Sequence, residues 1–182
     1  MKPFYEDVII AGFGGQGVLF IGELLAYAAM KEGRNVTWIP SYGPEMRGGT
    51  ANCTVVISDE EIGSPVITSP HSLIVMNNPS LDSFEPRLIT GGVLIINSSL
   101  ITRESKRNDV KVIKVPANKI AFELGSDKAA NMVVLGAYIA KTKAVSPHSI
   151  LDGLEKVLGE KKRRFLEINK RAFEKGMEIV NL

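Results

Sequence analysis

The chain has 182 residues, of which 45% are hydrophobic and 23% charged, and its formal net charge is +2. That length and composition suit one soluble globular domain spanning residues 1–182, and so small a charge argues against a nucleic-acid partner. Cys53 is the only cysteine, and His71 and His148 are the only histidines. An internal disulfide is therefore excluded, as is a cysteine-ligated iron–sulfur cluster, which needs about four thiolates; a dedicated zinc site is not expected.

The first element is the apolar run Asp7-Val8-Ile9-Ile10-Ala11, which suits a strand buried on both faces. From Gly17 to Lys31 the period becomes helical, with Val18, Ile21, Leu25 and Ala28 at spacings of three and four and Gly33 as a stop. Asn35–Ile39 is the next strand, so the opening reads as βαβ. Asn52–Ser58 is a third strand, and Leu73–Asn77 a fourth. Asn78-Pro79 predicts a cap and first-turn proline for a helix through Leu81 and Phe84. Gly92–Asn97 is a core strand, and Val110–Val115, alternating Lys with apolar residues, predicts a half-exposed strand near an edge.

The rest reads as helical: Asn118–Leu124, then Lys128–Lys141 with Asp127-Lys128 as its cap. Ser146-Pro147 opens a helix that Gly159 ends, and Lys161–Ile179 forms an amphipathic one. Strands alternating with helices early and helices closing the chain define an α/β class with a mostly parallel sheet flanked by helices and a helical C-terminal part. No apolar run approaches the about 20 residues needed to span a bilayer. Met1–Asp7 has no apolar signal region, so a cytoplasmic location is expected.

Two glycine-rich segments stand out. Gly12-Phe13-Gly14-Gly15-Gln16-Gly17 follows a strand and opens a helix, which fits the G-x-G-x-x-G fingerprint of Rossmann-like folds. On that pattern Gly12 permits a tight turn, Gly14 a close ligand approach and Gly17 close packing of helix on sheet, while the helix start offers N–H groups to an anion. The fingerprint also wants an acid at the end of the second strand to hold ribose hydroxyls. Thr37-Trp38-Ile39-Pro40 has none. The turn can thus be an anion site or only a place of close packing.

The second segment is Ser41-Tyr42-Gly43-Pro44-Glu45-Met46-Arg47-Gly48-Gly49. Arg47 could grip a carboxylate or phosphate with two parallel hydrogen bonds, or form a local surface ion pair with Glu45 worth about 0–1 kcal/mol. Tyr, Met and Arg are enriched at interface cores. Loops of this kind leave neighbouring strand ends, where ligands and partners bind, so both segments are expected on one working edge.

Together, Gly12-Phe13-Gly14-Gly15-Gln16-Gly17-Val18 and Ser41–Gly49 resemble the gamma subunit of the 2-oxoacid:ferredoxin oxidoreductases, the pyruvate/ketoisovalerate ferredoxin oxidoreductase catalytic-domain family. The likeness continues through Ile57-Ser58, Ile62, Ser64-Pro65 and Pro70 to Asn77-Asn78-Pro79-Ser80-Leu81. The Ser41–Gly49 form is similar to the 2-oxoglutarate branch; pyruvate-type chains more often have phenylalanine where Tyr42 stands, and indolepyruvate-type beta subunits share the glycine turn.

The resemblance implies a complex that decarboxylates a 2-oxoacid, passes electrons to ferredoxin and forms an acyl-CoA. Its thiamine diphosphate, magnesium and iron–sulfur clusters would belong to thiamine-binding and ferredoxin-like partner subunits. This chain would hold no cofactor alone, would have no catalytic or metal-ligating residue, and would self-associate when isolated. Gly12, Gly14, Gly15, Gln16, Gly17 and Arg47 are then candidates to contact coenzyme A, and Ser41, Tyr42, Gly43, Pro44, Glu45, Met46, Arg47, Gly48 and Gly49 to meet partner subunits. The alternatives are a stand-alone nucleotide-binding protein using the Gly12–Gly17 turn, and a scaffold without a ligand. Cys53 reads as a small buried hydrophobe, His71 as a surface or turn residue, His148 as structural, and the Lys161–Arg164 run as a solvated helix start or a dock for an acidic partner.

Overall fold

In the computed structural model, residues 3–42 and 49–180 are described, with Tyr42 described in its backbone only. Strands β1 (Tyr5–Phe13), β2 (Asn35–Tyr42), β3 (Thr50–Ser58), β4 (Ser72–Val75), β5 (Val93–Asn97) and β6 (Lys111–Val115) form a six-stranded sheet in the order β2-β3-β1-β4-β5-β6. β1, β4, β5 and β6 run parallel, whereas β3 is antiparallel to both β1 and β2. The opening is therefore not a simple βαβ unit, because β3 sits between β1 and β2. The segment from residue 43 to 49 is too short for the crossover of a dozen or more residues that a parallel neighbour needs, so the chain turns back as a hairpin.

The helices are α1 (Val18–Lys31), α2 (Asn78–Phe84), α3 (Ala117–Glu123), α4 (Ala130–Thr142), α5 (Pro147–Leu158) and α6 (Leu166–Val180). β1 shows why its sequence reads as one apolar run. Val8 and Ile10 pack into the core under α1, α4 and α6, while Ile9 and Ala11 pack on the opposite face with Leu73, Val75 and Leu81. Both faces of the strand are covered, so no polar alternation survives. α4 is the central helix, buried at every residue from Ala130 to Ile139. β6 is the outer strand predicted by its alternating lysines, with Lys111 and Lys114 exposed.

Three helix starts differ from the sequence pattern. α2 is capped by Asn77, whose Oδ1 accepts from the Ser80 N–H at 2.9 Å, so Asn78 is already helical. Asp127 does not cap α4; Asp127–Ala129 forms a 3-10 turn, and no side chain caps the helix. Glu160–Phe165 is also 3-10, and α6 begins only at Leu166. Four consecutive cations at a helix start repel one another and face a dipole of the wrong sign. The Ser146 cap of α5 forms as expected, with its hydroxyl accepting from the Ser149 N–H at 3.1 Å.

At the amino ends of the parallel strands, Glu6 is half-buried, and its Oε1 accepts from the Ser72 hydroxyl at 2.5 Å and the Tyr138 hydroxyl at 3.2 Å. Burial pushes its carboxyl above the usual value, against those hydrogen bonds and nearby His71, which pull it down. A folded value above the unfolded one gives stability that is present below the unfolded pKa and lost as pH rises through the folded pKa. Glu6→Gln keeps the accepting oxygen and removes the charge. Its thermal midpoint should exceed that of the native chain at pH 8 and show no such advantage at pH 4. A native chain that melts higher at pH 8 would refute this.

Candidate functional site

The two glycine segments meet. The Gly14 N–H donates to the Gly49 carbonyl at 2.9 Å, fastening the β1–α1 turn to the end of the β2–β3 connection. The antiparallel run of β3 produces this contact: its amino end lies beside the carboxyl end of β1, with Phe13 opposite Thr50. This edge is also where the strand order reverses, since the chain leaves β1 for β3 and β2 on one side and returns to β4 on the other. Open α/β sheets bind ligands at such a point.

The glycines act differently from the fingerprint. Gly12 lies within β1, where a Cβ would come 2.6 Å from Gln16 Oε1 and 3.0 Å from Met76 Cβ. Gly17 is the N-cap of α1 at φ 73, and a Cβ there would collide with the Asn131 carboxamide of α4, not with the sheet. Asn131 Nδ2 donates to the Gly17 carbonyl at 3.2 Å, so α4 is tied to the start of α1. Having no side chain, Gly17 leaves the first N–H groups of α1 uncapped.

Gln16 is a clamp. Its Oε1 accepts from the Phe13 N–H at 2.7 Å and from Asn77 Nδ2 at 3.0 Å, while its Nε2 donates to the Met76 carbonyl at 3.3 Å. One side chain thereby fixes the turn after β1 to the turn after β4. The sequence pattern nominated Gln16 for ligand contact, placed Asn77 only in the Asn77–Leu81 stretch of the resemblance and gave no signal for Asn131. A polar residue directly after an apolar strand was the available hint.

Beside this clamp is a cleft of about 180 Å³ whose border includes Gly15, Gln16, Asn118 and Asn131 and two opposite charges, Asp127 and Lys128. That is below the roughly 300–1,000 Å³ of ordinary small-molecule pockets. It has room for one small polar group, for which Lys128 offers an ammonium and Asp127 a carboxylate, and is too small to enclose a dinucleotide. Gly43, Pro44, Glu45, Met46, Arg47 and Gly48, which carry most of the proposed interface and the candidate anion grip, lie outside the described residues. Ser41 is exposed at the end of β2, and Gly49 accepts the hydrogen bond from Gly14.

The other nominated residues fall away from this edge. Cys53 is fully buried in β3, and burial pushes its thiol up to about 12, so it is an inert hydrophobe. His71 precedes β4 at the opposite end of the sheet, half exposed, with Nδ1 3.1 Å from Asp7 Oδ1. His148 is exposed on α5, 3.5 Å from Asp152. Among the described residues no helix is long and apolar enough to cross a membrane.

Residues 7–179 match the family model described as pyruvate ferredoxin/flavodoxin oxidoreductase. The chain is 41% identical over 172 residues to the ketoisovalerate oxidoreductase subunit VorA of Methanothermobacter thermautotrophicus, covering 94% of this chain but 35% of that relative. It therefore spans about a third of the length of that protein. It is 34% identical over 181 residues to the 2-oxoglutarate synthase subunit KorC of Methanocaldococcus jannaschii, covering 96% of this chain and 93% of that one. Among solved structures, the gamma subunit of the keto/oxoacid ferredoxin oxidoreductase from Geobacter sulfurreducens superposes with a TM-score of 0.82 at 30% identity, covering 97% of this chain and 98% of that one. With the joined glycine turns at the sheet's switch point and the match running from residue 7 to 179, this chain belongs to the pyruvate ferredoxin/flavodoxin oxidoreductase family.

Proposed function

We propose that this chain is the gamma-type subunit of a cytoplasmic, multi-subunit 2-oxoacid:ferredoxin oxidoreductase that acts on 2-oxoglutarate. The observation that carries the reading is the end-to-end correspondence with a 2-oxoglutarate synthase subunit. The identity to a ketoisovalerate oxidoreductase subunit favours a second reading, a branched-chain 2-oxoacid. The lone buried cysteine supports a division of labour in which clusters reside on a ferredoxin-like partner and thiamine diphosphate on another. Coenzyme A fits the working edge in chemical type: a lysine borders the small cleft and the adjoining helix start is uncapped, and each suits a phosphate. In the reaction coenzyme A supplies the thiol that takes the acyl group. This chain's part is to bind and orient it and to complete the enclosure by its partners.

The test is co-expression with the subunits encoded beside it, followed by coenzyme A-dependent ferredoxin reduction. The 2-oxoglutarate reading expects a higher kcat/KM for 2-oxoglutarate than for 2-oxoisovalerate; the reverse order selects the second reading, and no assembly with thiamine-binding and ferredoxin-like chains overturns both. In the assembled enzyme, Arg47→Ala should raise the KM for coenzyme A about 10- to 100-fold, the loss of one charge-assisted contact of about 1.5–3 kcal/mol. An unchanged KM would remove Arg47 from that role.

A further inference from the structure

A second cleft, of about 280 Å³, opens beside the first and shares Lys128 and Asn131 with it. Its walls are apolar: Phe20 of α1, Ala129 before α4, and Leu158 and Phe165 flanking the 3-10 turn that leads into α6. Lys128 and Lys162 stand exposed at its rim. Among the described residues neither has an ion-pair partner, although Arg163 on the same turn is paired with Glu155 at 2.7 Å.

The polar group inside the cleft is also half used. Asn169 is 8% exposed; its Nδ2 donates to the Phe165 carbonyl at 2.7 Å, while its Oδ1 accepts from no described residue. The cleft therefore presents an apolar hollow, one open acceptor that reaches its surface and, among the described residues, two unpaired ammonium groups. The uncapped start of α1 borders it through Gly17, and Ala129 and Phe165, the last residues of the 3-10 turns that run into α4 and α6, complete that side. The uncapped start of α1 adds a partial positive charge there. The cations of the 160–165 turn are misplaced for α6 taken alone and well placed for an external anion.

A complementary occupant needs an apolar side chain, a donor beside it and negative charge around it. A peptide has all three: a leucine- or phenylalanine-sized side chain fits the hollow, its backbone N–H reaches Asn169 Oδ1, and flanking carboxylates meet Lys128 and Lys162. Because Gly17 closes the turn whose Gly14 is hydrogen-bonded to Gly49, the end of the segment assigned above to partner contact, we propose that the cleft receives an acidic segment of a partner subunit with one large apolar side chain at its centre. The proposal rests on the subunit reading and names the partner chemistry that reading leaves open.

The test uses the full chain and the co-expressed thiamine-binding and ferredoxin-like subunits. Lys128→Glu/Lys162→Glu should weaken assembly about tenfold or more at low salt, with a smaller difference at high salt, while Lys111→Glu, on the far strand, should leave it unchanged. Carbodiimide coupling of the native complex should join Lys128 or Lys162 to an Asp or Glu that lies within a few residues of a large apolar side chain in the partner. Undiminished assembly of the double variant overturns the proposal and leaves the subunit reading standing. Coupling only to a second copy of this chain also overturns it. Failure of the native chain to assemble removes the subunit reading itself, and the proposal with it.

Discussion

Gly176→Ala is expected to lower the thermal midpoint by about 6–12 °C, the effect of about 3 kcal/mol on a chain of this size. The cause is backbone contact between α4 and α6. A Cβ at position 176 would come 2.8 Å from the carbonyl carbon of Val133 and 3.0 Å from its Cα, and it would meet the Val133 carbonyl oxygen still more closely. On the facing helix, a Cβ at Gly136 would lie 3.0 Å from the Met177 nitrogen and would clash with the Phe173 carbonyl oxygen. The two glycines thus sit against each other's helices. Backbone atoms cannot rotate aside as a side-chain tip can, so the helices must separate. Separation loosens Phe173 and Ala172, both fully buried.

Overpacking ordinarily costs about 1–3 kcal/mol. A backbone collision belongs at the upper end, and the helix-propensity gain of alanine over glycine, about 1 kcal/mol, is too small to reverse it. Gly63→Ala is the control, since a Cβ there meets nothing within 4 Å. Calorimetric melts of the three proteins decide the matter. If Gly176→Ala melts within about a degree of the native chain, the close helix approach is not as described.

Gln16→Leu is expected to cost about 2–4 kcal/mol and to impair any function of the working edge at the same time. Leucine has a similar size but leaves the Phe13 N–H and the Asn77 amide without their shared acceptor. Each unsatisfied donor costs about 1–3 kcal/mol. Gln16→Glu should fall between the two, because one carboxylate oxygen can keep both donors while the other turns toward the Met76 carbonyl, where an N–H now donates. A clamp and a ligand contact predict different kinetics. Loss of the clamp lowers stability and changes kcat together with KM. Loss of a mere coenzyme A contact raises that KM with the melting temperature unchanged, and this second pattern would disprove the clamp.

Much of the fold was legible because the buried strands are short apolar runs bounded by glycine or polar residues. The sequence runs at Asp7–Ala11, Asn52–Ser58 and Gly92–Asn97 fall on β1, β3 and β5. An apolar run has no direction, however, so the antiparallel insertion of β3 was hidden in periodicity. It was readable only from the shortness of the 43–49 connection. Cap positions slipped where two residues competed, as at Asn77 and Asn78, since both can cap and only the local backbone decides. The working edge was found through Gly12–Gly17. What that pattern could not contain were Asn77 and Asn131, which come from distant parts of the chain, and so Gly17 was assigned to the sheet when it faces α4.

The lone thiol has an experimental use. Cys53 lies in β3 opposite Pro40 of β2, and a Cβ on Gly22 of α1 would run into its sulfur. A thiol reagent must therefore wait until α1 or the β2–β3 ribbon swings away, and no second cysteine contributes background. The rate of modification, measured without a single engineered residue, becomes a clock for the opening of that seam. Run with and without the assembled partners, the same clock would report how strongly assembly holds shut the half of the sheet that carries the Ser41–Gly49 loop.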